Sequence, residues 1–141
     1  MASLDSFKSR ETLKVGDKTY VYYSLKKAEA NGLKGVSSLP YSMKVLLENL
    51  LRFEDDRSVT KEDIQGVAEW LVNKGKTERE IAFRPARVLM QDFTGVPAVV
   101  DLAAMRDGMK TLKGAPQKIN PRVPVDLVID QSVSVDAFGS P

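Results

Sequence analysis

Apolar residues return along this chain either every three or four positions or in short unbroken runs, and the change between the two falls near residue 80. Met43, Leu46, Leu47, Leu50 and Leu51 form one stripe, while Lys44, Glu48, Asn49 and Arg52 fall outside it, so an amphipathic helix is predicted here. Pro40 suits its first turn, where a missing N–H costs nothing. A second helix is predicted from Thr60, with Asp63 completing a variant capping box. Ile64, Val67, Ala68 and Leu71 form its buried stripe, and Gly75 stops it. Upstream, Thr19 to Tyr23 follows the turn-like Gly16-Asp17 and reads as a strand. Lys26 to Asn31 reads as a short helix ended by Gly32, and Asp55 to Ser58 as a polar loop.

Beyond Glu80 the runs take over. Ala86 to Met90 is predicted as a strand covered on both faces. Gln91 to Gly95 reads as a loop, and Pro97 as the start of a helix with Val99, Val100, Ala103 and Met109 on one side, fading near Leu112 and Gly114. Pro116 to Pro124 is a proline-marked connection, and Val125 to Ile129 a second buried strand. Strand, helix and strand in this order make a βαβ unit, with parallel strands joined by a right-handed crossover. The expected fold class is α/β: a partial doubly wound parallel sheet with N-terminal helices. Residues 1–141 are read as one domain, with a strand and helices over 1–80 and the βαβ unit over 81–136. The ending, just after a strand and before any helix to cover it, reads as truncation.

Composition narrows the chemistry. The 141 residues are 43% hydrophobic and 28% charged, ordinary for a globular protein with a core. The net charge of +2 comes from 21 basic and 19 acidic residues spread along the chain, which argues against nucleic-acid binding. No apolar run approaches the roughly 18 residues that span a bilayer, and the N-terminus lacks a secretory pattern, so no membrane partner is expected and the location expected is cytoplasmic. There is no cysteine and no histidine. The chain therefore offers no thiolate or imidazole for a metal, an iron–sulfur cluster or nucleophilic catalysis, and no metal site is expected.

In open parallel sheets ligands gather at the carboxyl ends of strands. Two segments meet that rule, Gln91 to Gly95 after the first strand and Asp130-Gln131-Ser132 after the second. Gln91 and Asp130 would share one rim, joined by the N-terminus of the helix begun by Pro97, and such a rim favours a small polyanion. Residues of these types after a strand also serve as plain loop caps, and spacing alone leaves both readings open. Trp70 reads as a core residue in preference to an interface residue, Tyr20, Tyr22 and Tyr23 as strand residues, and Lys34, Lys44 and Lys110 as solvated. Gly32 and Gly35 lack the spacing of a phosphate loop.

The same segments resemble a known family. Ser38-Leu39-Pro40-Tyr41-Ser42 with Lys44 to Arg52, then Arg84 to Asp101, Ile119-Asn120-Pro121 and Val125 to Asp130, are similar to the aconitase A and iron-regulatory-protein branch, bacterial members most of all. The resemblance covers essentially the whole chain and implies the N-terminal part of the first, here incomplete, aconitase domain. It implies interconversion of citrate and isocitrate through cis-aconitate, in which a 4Fe–4S cluster acts as Lewis acid. The cluster's cysteines and the catalytic serine lie in later parts of the full-length family, so no cofactor and no activity are expected of this chain alone. Gln91 matches the family's substrate-contacting glutamine, and Asp130 matches half of an Asp-His pair near the leaving hydroxyl. The family reads Ile-Asp-His-Ser-Val where this chain has Ile129-Asp130-Gln131-Ser132-Val133, and glutamine cannot shuttle a proton. Arg122 and Lys113-Gly114-Ala115 also depart from the family pattern. A non-catalytic interaction module derived from an aconitase, self-associating through surface left by truncation, is the alternative.

Overall fold

The computed structural model describes residues 3–139. The chain folds as two compact units, one ending at Arg84 and the other beginning at Pro85.

The first unit opens with an antiparallel hairpin of β1 (Arg10–Val15) and β2 (Lys18–Tyr23), with Arg10 opposite Tyr23 and Val15 opposite Lys18. Gly16 and Asp17 turn the chain in two residues. Gly16 has φ of 58°, a left-handed backbone that glycine adopts without strain. β1 carries no clear apolar pattern because nearly all of its side chains are exposed; its backbone pairing with β2 makes it a strand. Ser24 caps α1 (Leu25–Ala30) by accepting from the Lys27 N–H. Two longer helices follow, α2 (Tyr41–Phe53) directly after Pro40, and α3 (Lys61–Asn73). Leu47, Leu50 and Leu51 of α2 join Ile64 and Val67 of α3 in a core completed by Phe7, Tyr23, Leu33 and Val59 among others. Trp70 packs partly buried against it. The buried Glu54 is satisfied by the Ser6 N–H at 2.8 Å.

The capping box at α3 is formed in both directions. Thr60 Oγ1 accepts from the Asp63 N–H at 3.2 Å, and Asp63 Oδ2 accepts from the Thr60 N–H at 2.9 Å. The second bond is the largest cause holding the Asp63 carboxyl below its ordinary value. Thr60→Ala should lower stability by about 1 kcal/mol, since it strands the Asp63 N–H. Urea unfolding followed by Trp70 fluorescence measures this, and an unchanged midpoint would remove the cap from the account.

The second unit is the βαβ element. β3 (Val88–Gln91) runs parallel to β4 (Val125–Val128), with Val88 opposite Val125 and Gln91 opposite Val128. An ion pair between Arg87 and Asp126 at 2.5 Å braces the strand starts. Between them lie α4 (Asp92–Thr111) and a 3₁₀ turn over Pro116–Lys118. Arg106 holds the connection to the helix through the Ile119 carbonyl at 3.0 Å and the Asn120 side chain.

Three expectations for this unit need correction. Gln91 to Gly95 is not a loop: Gln91 is the N-cap and α4 starts at Asp92, so Pro97 lies inside the helix. Capping by the Gln91 side chain begins the helix early, and the helix forgoes the bond Pro97 would have made to the Phe93 carbonyl. The sheet-facing side of α4 is Gly95, buried, with Ala98, Leu102 and Met109 partly buried, whereas Val99, Val100 and Ala103 are exposed. Apolar residues lie on several sides of α4, so periodicity cannot choose among them. Gly95 decides, because a Cβ there would stand 2.5 Å from Leu127 Cδ1. Finally, β3 and β4 are not covered on both faces, since Leu89 is 72% exposed and Val128 is 46% exposed.

Candidate functional site

Parallel pairing puts the carboxyl ends of β3 and β4 on one rim. Gln91 closes β3, and residues 129–132 leave β4. Gln91 Oε1 accepts the Phe93 N–H at 3.0 Å, which fixes the side-chain orientation, because a backbone N–H can only donate. Gln131 Nε2 donates to the same oxygen at 2.5 Å. Among the described residues no hydrogen bond engages Gln91 Nε2 or Gln131 Oε1. The rim thus offers one amide donor group and one amide acceptor beside the exposed Asp130.

Asp92, the first residue of α4, is 3% exposed and lies directly under this rim. Its Oδ2 accepts the Ser132 N–H at 2.8 Å, and its Oδ1 the Phe93 N–H at 3.1 Å. The Asp130 carboxyl stands within hydrogen-bonding reach. Bonds from Ser132, and next from Asp130, push the Asp92 carboxyl down to about 2. The Asp130 carboxyl is raised, chiefly by sharing a hydrogen bond with Asp92 and then by desolvation. The pair therefore divides its charge unequally: Asp92 holds it and Asp130 keeps its proton to higher pH.

The structure brings together Gln91, Asp130 and Gln131, the three residues singled out by sequence. It does not bring an open helix N-terminus to the rim. The Phe93 N–H in the first turn of α4 is already shared by the Gln91 and Asp92 side chains, and Asp92 places a carboxylate at the positive end of the dipole. The rim is therefore not a ready anion cradle. Asp92 is the residue that sequence reasoning passed over. Its signal was an acidic residue in the first turn of a helix, hidden while that helix was started at Pro97.

A cavity of about 200 Å³ lies in the first unit, lined by Met43, Leu46, Trp70, Arg79 and Ile81 with other residues, and none of the rim residues lines it. Its one cation, Arg79, is engaged by the Glu62 carbonyl at 2.6 Å and by Asp63 at 3.5 Å. Among the described residues no group of three or more His, Cys, Asp and Glu is placed to hold a metal, and no helix is long and apolar enough to cross a membrane.

Residues 62–140 match the model of the aconitase family (aconitate hydratase). The chain is 73% identical over 139 residues to aconitate hydratase A of Bradyrhizobium diazoefficiens, which covers 99% of this chain and 15% of that protein. It is 62% identical over 136 residues to aconitate hydratase A of Legionella pneumophila, and 54% identical over 136 residues to that of Thermus thermophilus. Each of these two alignments covers 96% of this chain and 15% of the relative. The chain thus spans about 15% of the length of the curated relatives it matches.

Proposed function

Because the chain belongs to the aconitase family, we propose that its rim is one wall of a tricarboxylate site, in an enzyme interconverting citrate and isocitrate through cis-aconitate. The observation that carries this is the meeting of Gln91, Asp130 and Gln131 at the ends of two parallel strands. With its oxygen taken by Phe93 and Gln131, Gln91 has amide N–H groups that no acceptor engages among the described residues, and these suit a substrate carboxylate. Asp130, whose carboxyl shares a hydrogen bond with Asp92 and so holds its proton to higher pH than an ordinary aspartate, stands beside them as the acidic group of the rim. Gln131 steers the Gln91 amide and has no proton to give.

The residues present do not fit an iron–sulfur cluster, since the sequence holds no cysteine or histidine. No step of the reaction is therefore routed through one here, and the chain alone is read as inactive. Positive charge for the remaining carboxylates must come from outside this rim, where no lysine or arginine makes contact among the described residues. A cytoplasmic location belongs to the same reading.

The test places residues 1–141 in exchange for the matching segment of the Bradyrhizobium relative, which is 73% identical to it. The hybrid should hydrate cis-aconitate, and Gln91→Ala should raise KM about 10-fold with little change in kcat, because the amide holds substrate in ground and transition states alike. A hybrid whose KM ignores Gln91→Ala would end the proposal. A second reading, a non-catalytic module that self-associates, is favoured by the open apolar side chains of the second unit, Leu89 at 72% and Phe93 at 77% exposure. An inactive hybrid, with a concentration-dependent dimer of the free chain, would select it.

A further inference from the structure

Asp92 is an acidic residue and almost wholly buried, yet among the described residues no basic side chain pairs with it. Its neighbours are the Ser132 side chain and N–H, the Asp130 carboxyl and the Phe93 N–H. An ionised carboxylate is retained in such a place only if its hydrogen bonds replace water. Those bonds run to the start of α4 and to the turn after β4, which are 40 residues apart in sequence. That turn carries Asp130 and Gln131, and Gln131 in turn sets Gln91.

We infer that Asp92 is a positioning residue for this rim: its buried carboxylate grips the Ser132 backbone N–H and thereby fixes where Asp130 and Gln131 stand over the end of β3. The inference rests on the reading of the rim as a substrate wall. Asp92 itself is only 3% exposed, and its carboxylate is engaged by Ser132 and Phe93, so it acts through its neighbours. Its hydrogen bond, and after desolvation its charge, also raise the value at which the exposed Asp130 beside it gives up its proton. Gln91 and Gln131 are uncharged, and the charged pair nearest in this unit, Arg87 with Asp126, braces the opposite end of the strands.

The experiment is NMR of the full chain, following the Ser132 amide proton, the Asp130 carboxyl carbon and the side-chain amides of Gln91 and Gln131, with citrate as the probe. In the unaltered chain the Ser132 amide should show a step as pH falls toward about 2, where Asp92 takes up a proton, separate from the earlier step of Asp130. In Asp92→Asn the Asp130 carboxyl should titrate lower, back toward an ordinary aspartate, and citrate should bind about 10-fold more weakly. Asp92→Glu, which keeps the charge, should recover part of the Asp130 shift. A Ser132 amide in the unaltered chain that shows no low-pH step overturns the inference, and this measurement needs no variant to fold. An Asp130 titration unmoved by Asp92→Asn, or an unmoved citrate affinity, overturns it as well. Failure of the substrate reading looks different: citrate then leaves the Gln91 and Gln131 amides of the unaltered chain untouched.

Discussion

Gln131→His, made in the hybrid enzyme that carries this segment, is expected to raise kcat by about 10²-fold. Departure of a substrate hydroxyl needs a proton, and a well-placed acid contributes about 10²–10⁴-fold in rate. An imidazole titrates near neutral pH and an amide does not. The lower end of the range applies because the rim already holds a partial substitute, the Asp130 carboxyl with its raised value. A histidine can also keep the bond that Gln131 makes to Gln91 Oε1, since either ring nitrogen can donate, so substrate positioning and KM should change little. The measurement is kcat for both forms, with cluster content matched between preparations. Equal kcat would sink the proton-transfer argument and leave position 131 with a purely orienting part.

Leu50→Ala should cost about 2–5 kcal/mol and bring the first unit near its unfolding threshold. Leu50 has no exposed surface and lies in α2 among Leu47, Leu51, Ile64 and Val67, where removing its branched end leaves a cavity that close-packed neighbours cannot fill. Val45 on the same helix is 62% exposed, so Val45→Ala should stay within about 0.5 kcal/mol. Comparing the two separates core packing from helix propensity, because both substitutions end in alanine. Urea unfolding read at Trp70 reports on this unit, and a Leu50→Ala cost below about 1 kcal/mol would mean that the core is not what holds α2 to α3.

What sequence made legible followed from how much each element depends on its own residues. α2 and α3 have a wet side and a dry side, so their stripes and the Thr60–Asp63 cap could be read directly. β3 and β4 were readable as parallel strands because short apolar runs separated by a helix admit few other pairings. β1 was not readable, being exposed and defined by its backbone pairing with β2, with no apolar stripe to mark it. The start of α4 was misplaced because Gln91 is an uncommon cap, while Pro97 carries the usual signature of a first turn. That error hid Asp92 in a supposed loop. The rim residues Gln91, Asp130 and Gln131 were found, but not the bond between the two amides, which depends on side-chain directions that residue spacing does not encode.

The separation of 40 residues between the partners of the rim has a consequence for the order in which the molecule folds. The hairpin closes over two residues and should form within microseconds, and α2 and α3 are consecutive helices, so the first unit assembles from neighbours. Pairing β3 with β4 must first close the long α4 excursion, and that loop entropy is lost before any strand bond repays it. Gln131 and Ser132 lie beyond β4, so their contacts with Gln91 and Asp92 come last of all. A ribosome making this chain releases a folded helical unit first, and the chemistry-bearing edge closes only after residue 132 has cleared the exit tunnel.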